Sequence, residues 1–478
     1  MHTKVTPTKD KYLPTIGLEV HIELRTNTKM FCDSLNKPTD AHPNIHICPI
    51  CMGHPGTLPT INKKAIECVF MVGKALRGNI SDYSLFDRKN YFYPDIPKGY
   101  QISQYERPLV MGGVLRQVHI RRIHLEEDTA RLIHDEEMGG SSLVDFNRAG
   151  IPLMELVTEP DITSGEEARK FAEELQLILR YLGVSDADME HGQMRVEANI
   201  SLGNFMENNI FGTKVEVKNL NSFRSVERAI NFEILRQGDL LRRGESIVQE
   251  TRGWDEDKQI TFPQREKEEA HDYRYLPEPD LPPIVFFSNP DEISLPELPD
   301  ERRDYLAREF GIKPEQIEIL VVKKYLGDFL KKVSDVLEKD SLELAVNYLT
   351  SDLAGLVKRG GGISEEVKIS PTNFAELIRL IKKERISSRV AKDVLSIMFN
   401  ENKDPREIVK NLEVEQQNDE EITKKFVKLI LEENPLVVED FKKGKANAIQ
   451  FLVGETMKKS KGKLNPEMLK KCLQDELS

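Results

Sequence analysis

Five cysteines and a single tryptophan are spread over 478 residues, and no apolar run approaches the roughly 20 residues that a membrane-spanning helix needs. So few cysteines in so long a chain exclude the disulfide framework of small secreted domains. The opening residues, MHTKVTPTKDKYLP, lack the apolar core of a signal peptide, so a cytoplasmic location is expected. There is no GxxxxGK[ST] loop, and no GxGxxG follows a strand pattern, so any nucleotide site must be built without a glycine loop around the phosphates. A formal net charge of −12 excludes a surface that is basic throughout, and any nucleic-acid contact must be local. One lysine-rich stretch, Lys458, Lys459, Lys461, Lys463, Lys470 and Lys471, could supply such a contact or be a solvated helix face.

What is present divides the chain. Residues 1–295 hold most of the prolines, glycines and alternating segments, which read as strands joined by turns. Two helical patterns interrupt them: RKFAEELQLILRYLGV (Arg169–Val184), with Gly183 where a helix would end, and VERAINFEILRQGDLL. PEPDLPPI (Pro277–Ile284) is too rich in proline for a regular element and reads as a rigid connector. Beyond it the patterns LPDERRDYLAREFG, IEILVVKKYLGDFLKKVSDVL and SLELAVNYLTSDLAGLVKRG are helical, and Gly360–Gly362 marks a loop. Ser370-Pro371 and Ser387 read as caps of two later helices. The expected fold class is α+β: a mixed, largely antiparallel sheet followed by all-α parts.

The strands share an unusual feature. In IGLEVHIEL, Ile16, Leu18, Val20, Ile22 and Leu24 alternate with Gly17, Glu19, His21 and Glu23, so one face is apolar and the other carries two carboxylates and an imidazole. MRVEANISL repeats the pattern with Arg195, Glu197, Asn199 and Ser201 on the polar face. TKVEVKNLN sets Lys214, Glu216 and Lys218 against Val215 and Val217. IHLEEDTARL turns His124, Glu126 and Asp128 outward, with Glu127 between them. Glutamate is disfavoured in strands. If these strands share a sheet, their carboxylates repel unless a cation or a basic side chain neutralises them. Oxygen ligands suit Mg²⁺, and Lys218, Arg195 and Arg148 are candidate phosphate contacts. The alternative is a charged sheet face without a metal. Glu23, two positions (roughly 7 Å) beyond His21 on the same face, is left without a role, a solvated side chain being one reading.

Cys48-Pro-Ile-Cys51 has zinc-knuckle spacing, and Cys32 lies upstream. Three thiolates fall one short of a structural zinc site, which His46 or His42 could complete; the alternative is a reduced pair on a turn. Cys68 and Cys472 fall in helical patterns and read as packing residues. Gly139-Gly140-Ser141-Ser142 is similar to the glycine-serine run of amidases, but it stands alone and reads as a turn.

Long segments of the chain, IGLEVHIEL with RTNTKMFC, CPICMGHPGTLPTIN, YFYPDIPKGYQISQY, HLEEDTAR, DFNRAGIPLMELVTEPD, MRVEANISL, TKVEVKNLNSFRSVERAI and DYRYLPEPDLPP, resemble the B subunit of the glutamyl/aspartyl-tRNA amidotransferases, the GatB/GatE family. The tail, with ISSRVAKDVL and KANAIQFLVGETMKKSKGKLNPEMLKK, resembles the family's YqeY-type helical domain. The resemblance implies a cradle domain over 1–295, a helical domain over 296–405 and a tRNA-binding tail over 406–478. It implies a ligase of a heterotrimer with an amidase A subunit and a small C subunit. That enzyme uses ATP and Mg²⁺ to phosphorylate the side-chain carboxylate of mischarged tRNA(Gln) or tRNA(Asn), and ammonia then displaces the phosphate. The catalytic residues it implies are Glu19, His21, Glu126, Glu127 and Lys218. The Mg²⁺ ligands would come from Glu19, His21, Glu126, Glu127, Glu197 and Glu216, and the nucleotide contacts from Arg148, Arg195, Asn199 and Asn219. Family members with a zinc knuckle carry Cys-x-Cys before Cys-x-x-Cys. Here Ser34 stands at the second position, which leaves Cys32, Cys48, Cys51 and His46 as the zinc candidates.

Overall fold

The computed structural model describes residues 12–135, 141–204, 211–266, 273–286, 292–359, 367–412, 420–442, 447–460, 464 and 466–477. The glycines expected in turns, Gly139-Gly140 and Gly360–Gly362, and Lys461 and Lys463 lie outside the described residues. The chain separates into two compact units, Met1–Pro299 and Asp300–Ser478.

The first unit is built on one mixed sheet. Its long strands are β1 (Tyr12–Glu23), β4 (Val118–Glu127), β5 (Pro152–Thr158), β6 (Met194–Asn204), β7 (Val215–Leu220), β8 (Glu250–Asp255) and β9 (Ile260–Glu266). The intervening strands β2 (Asp87–Asn90) and β3 (Tyr100–Ser103) form a separate small sheet with Leu276–Pro277. The spatial order is β9-β8-β7-β6-β1-β5-β4, continued by two-residue strands at Val110–Met111 and Asn79–Ile80. Of the long-strand pairings only β7 with β8 is parallel. The opening strand is therefore central, with β5 on one side and β6 on the other.

Alternation along these strands sorts the side chains as expected. Ile16, Leu18, Val20 and Ile22 are buried with Val196, Ala198, Ile200, Ile123 and Leu125 in one apolar core. Each such aliphatic side chain contributes about 1.5–3 kcal/mol by leaving water. Helices α1 (Lys63–Ala75), α2 (Gly165–Leu182) and α3 (Phe223–Arg242) add their apolar faces to that core. Helix α2 starts four residues before Arg169. Ser164 caps it by accepting from Glu167 N at 3.2 Å, and the Glu167 carboxylate returns to Thr163 N at 2.9 Å. Gly183 ends it at φ 68°. At Gly165 an added Cβ would come within 2.5 Å of Glu227 O, so only glycine lets α2 approach α3 this closely. The proline-rich connector is more ordered than its composition suggests. Leu276–Pro277 pairs with β2, Ile284–Val285 pairs with Tyr83–Ser84, and Glu278 accepts two hydrogen bonds from Arg88 at 2.7 and 2.8 Å.

The second unit is helical throughout its described residues. The helical pattern IEILVVKKYLGDFLKKVSDVL falls on two helices, Pro314–Val322 and Lys324–Ser334, because Lys323 leaves helical geometry at φ −98°, ψ 73°. Ser370 and Ser387 cap the following helices as expected. The tail has its own core around Val427, Ile430, Leu452, Leu469 and Leu473, in which Cys472 packs.

Candidate functional site

The polar face of the sheet forms the floor of a cleft of about 790 Å³. Strand register lines up its residues. Glu19 lies opposite Glu197, Asn199 opposite Glu216, His21 opposite both Arg195 and Glu155, and Glu155 opposite His124. Two groups of ligand atoms result, each gathered within 4.8 Å: Glu19, Glu197 and Glu216, and His21, Glu126 and Glu155. Five neighbouring strands contribute to them.

Neighbouring groups hold each carboxylate. Asn199 Nδ2 donates to Glu19 Oε1 at 2.8 Å, Thr251 Oγ1 to Glu216 Oε2 at 2.7 Å, and Ser103 Oγ to Glu126 Oε2 at 3.0 Å. Lys218 Nζ sits 3.0 Å from Glu197 and 3.7 Å from Glu216. Burial opposes the charge on Lys218, but Glu197 and Glu216 outweigh it and raise its pKa. His21 Nε2 lies 3.4 Å from Glu155 and 3.8 Å from Glu126. Burial likewise disfavours the imidazolium, yet the hydrogen bond to Glu155 and the charges of Glu155, Glu126 and Glu197 push His21 up to about 9. His124 Nε2 approaches Glu155 from the other side at 3.3 Å. The Nδ1 atoms of His21 and His124 are buried and have no partner among the described residues. Convergent carboxylate oxygens in two groups, drawing cations to themselves, fit a hard divalent ion such as Mg²⁺.

Arg148 and Arg195 also line the cleft. Both are already engaged: Arg148 Nη2 lies 2.7 Å and Arg195 Nη1 3.3 Å from Asp128 Oδ2, and Arg148 Nε is 3.5 Å from Glu23 Oε1. Glu23 is therefore part of a half-buried ion cluster rather than a solvated residue. Burial and the neighbouring Asp128 charge raise it to about 7, against the pull of the two arginines. Asp128 goes the other way. Burial disfavours its charge, but Arg195 and Arg148 bring it down to about 2. A guanidinium has five donors, so these contacts leave some for an anion.

Two expected residues stand apart. Glu127 follows Glu126 on a pleated strand and so points to the opposite side, where it accepts from Ile102 N at 3.0 Å and pairs with Lys98. Asn219 is exposed at φ 64°, where the β6–β7 register shifts, and does not line the cleft. It is a bulge residue in the left-handed conformation that asparagine tolerates. Sequence reasoning missed Glu155, Lys89 and a tyrosine wall. Lys89 Nζ lies 5.0 Å over the Tyr273 ring, and Tyr105 stacks on Tyr275 at 4.5 Å, with Tyr91 beside them in the cleft lining. Glu155 was masked by its apolar neighbours in PLMELVT, although its period-two position set it on the cleft face. The aromatic density of YFYPDIPKGYQISQY, and the paired tyrosines of DYRYLPEPDLPP, were the signal for the tyrosines.

The cysteine triad forms elsewhere. The sulfurs of Cys32, Cys48 and Cys51 lie within 4.8 Å of one another. No fourth ligand joins them among the described residues. His46 Nε2 bonds Asp40 at 3.0 Å, and Ser34 Oγ lies 3.9 Å from Cys51 Sγ. The space beside Cys51 holds the buried ammonium of Lys29, 3.7 Å from the sulfur. The three sulfurs could hold a metal ion, and His46, expected as a fourth ligand, is not among them. Cys68 is buried in α1, as packing predicts.

Among the described residues no helix is long and apolar enough to cross a membrane. Residues 14–289 match the GatB/GatE catalytic domain, and residues 328–477 match the GatB domain that contains the YqeY-type tail. Among the similar proteins are the aspartyl/glutamyl-tRNA(Asn/Gln) amidotransferase B subunits of Thermoanaerobacter pseudethanolicus, 44% identical over 98% of this chain and 100% of that one, and of Thermomicrobium roseum, 46% identical over 97% and 98%. The corresponding subunit of Persephonella marina is 45% identical over 98% of this chain and all of its own. The chain belongs to the GatB/GatE family.

Proposed function

We propose that this chain is the ATP-using, tRNA-binding subunit of a cytoplasmic aspartyl/glutamyl-tRNA(Asn/Gln) amidotransferase, working with an amidase subunit (GatA) and a small C subunit (GatC). The observation that carries the reading is the row of carboxylates from five adjacent strands, divided into two convergent groups, with Lys218 against one of them. A free carboxylate is a poor acyl donor because oxide is a poor leaving group. Its oxygen attacks the γ-phosphorus of ATP, the bond to ADP breaks, and ammonia then displaces phosphate from the acyl carbon. Mg²⁺, when bound, supplies charge neutralisation for the transferred phosphoryl group. Glu19, Glu197 and Glu216, and Glu126 and Glu155 with His21, would hold it. Lys218, Arg148 and Arg195 would face the phosphates, with Asn199 orienting Glu19. His21 need not act as a general base, because the attacking carboxylate is already ionised.

In this reading residues 1–295 form the cradle for ATP and the aminoacyl end, and 296–405 and 406–478 contact the tRNA. The test is ATP hydrolysis by the reconstituted complex with mischarged tRNA. Glu19→Ala and Glu126→Ala should retain tRNA binding and lose phosphate release. Wild-type rates in both variants would sink the assignment.

A further inference from the structure

Arg122 stands on β4 two residues before His124 and four before Glu126, and the period of two brings all three to the cleft. Other cations there are already matched: Arg148 and Arg195 by Asp128, and Lys218 by Glu197. Arg122 has no carboxylate within ion-pair distance among the described residues, and its Nε is buried without a hydrogen-bond partner. A desolvated, unpaired guanidinium costs free energy that an incoming anion offsets. Its neighbours hold it in place. Arg122 Cζ lies 5.9 Å from the centre of the Tyr105 ring, which stacks on Tyr275 at 4.5 Å. The chain beneath that ring is fixed in turn, because Tyr105 N donates to the buried Asp87 Oδ2 at 2.8 Å. A guanidinium held against an aromatic ring keeps N–H donors for two oxygens of one phosphate.

We propose that Arg122 is a phosphate contact for the aminoacylated tRNA, taking the 5′-phosphate of its terminal nucleotide at the β4 side of the cleft. Within the function proposed above, on which this rests, strand spacing chooses between the two phosphate-bearing substrates. Arg122 lies four strands from Lys218 in the order β7-β6-β1-β5-β4, roughly 19 Å across the sheet. Neither side chain closes that gap: Lys218 is held at Glu197 and Glu216, and Arg122 against Tyr105, which follows β3. A nucleotide whose γ-phosphate meets Lys218 therefore leaves Arg122 to a second phosphate. Along β4, Arg122 is four residues from Glu126, roughly 13 Å. The path from the side-chain carboxylate of an esterified amino acid to the 5′-phosphate of its nucleotide has about ten bonds, roughly 12 Å when extended. A carboxylate poised for phosphorylation beside His21, Glu126 and Glu155 thus puts that phosphate within reach of Arg122. The contact carries no base sequence, and it favours an amino acid esterified to a nucleotide over a free one.

The test uses the reconstituted complex with whole mischarged tRNA and two inhibitors, amide-linked analogues of aminoacyl-adenosine with and without the 5′-phosphate. The wild-type complex should bind the phosphorylated analogue about 10–100-fold more tightly, and Arg122→Gln should reduce that preference to less than about threefold. The preference is a ratio measured on one preparation, so loss of folded protein in a variant cancels from it. Arg122→Lys, which keeps the charge but not the paired donors, should retain part of the preference and supplies the measurement if the glutamine variant does not fold. With whole tRNA, Arg122→Gln should raise KM and flatten the salt slope of binding by about 0.7. No phosphate preference in the wild type, the same preference in both variants, or a larger rise in KM for ATP than for tRNA would overturn this inference and leave the proposed function standing. A wild-type complex without ATP-dependent amidation of the tRNA would overturn the proposed function, and this inference with it.

Discussion

Replacing Asp128 by Asn tests the ion cluster at the edge of the cleft. Asp128 is 5% exposed and faces two guanidiniums. Its carboxyl falls from 3.8 to about 2, which corresponds to about 2–3 kcal/mol of stability. A lowered carboxyl pKa contributes stability above its ordinary value, and that contribution is lost as pH falls through about 2. At neutral pH the full charge term is therefore present. Glu23 carries the opposite sign. Its rise from 4.5 to about 7 means that the folded state holds a proton the unfolded state has lost, so its contribution declines as pH rises through that window. Once Asp128 is neutral, Glu23 becomes the remaining anion facing Arg148, its pKa drops, and the penalty for ionising it disappears.

The cost of Asp128→Asn should therefore be larger at pH 5, where wild-type Glu23 is protonated, than at pH 8, where it is ionised beside Asp128. The expected cost is about 2–3 kcal/mol at pH 5, shrinking by at least ~1 kcal/mol at pH 8. Guanidinium chloride unfolding of the full chain measures it through Trp254, the only tryptophan, which is buried on β8 in the same unit. A cost below about 0.5 kcal/mol at both pH values, or one that grows with pH, refutes the coupling of Asp128 to Glu23.

Glu155→Gln keeps the shape of the side chain that bridges His21 and His124 and removes its charge; divalent-cation affinity, read by Mn²⁺ paramagnetic resonance on the full chain, should fall about 10–100-fold. Unchanged affinity would exclude Glu155 from the ion site. Deleting residues from 406 onward should weaken tRNA binding and flatten its salt dependence, because it removes the exposed lysines Lys470 and Lys471 along with Lys458. Equal affinity and an equal salt slope in filter binding would make that surface a solvated face.

The opening strand shows what alternation can reveal. A period of two sorts Ile16, Leu18, Val20 and Ile22 from Glu19, His21 and Glu23 without knowledge of neighbours, because the pleat is local. Which carboxylates meet depends on register between strands more than a hundred residues apart, as with Glu19 against Glu197 and His21 against Glu155. That information lies in long-range pairing rather than in any single segment. The same pleat separates Glu126 from Glu127, which the run of two glutamates in HLEED obscures. Asn219 turns away because β7 carries one extra residue against β6, a defect visible only once both strands are paired. Spacing alone brought Cys48 and Cys51 together, since a tight turn is local as well. The burial of Lys29 beside Cys51 is a tertiary event, produced when the loop through Phe146 and Gly150 packs against it. A lysine in RTNTKMFC carries no periodic mark that tells an exposed cation from a buried one.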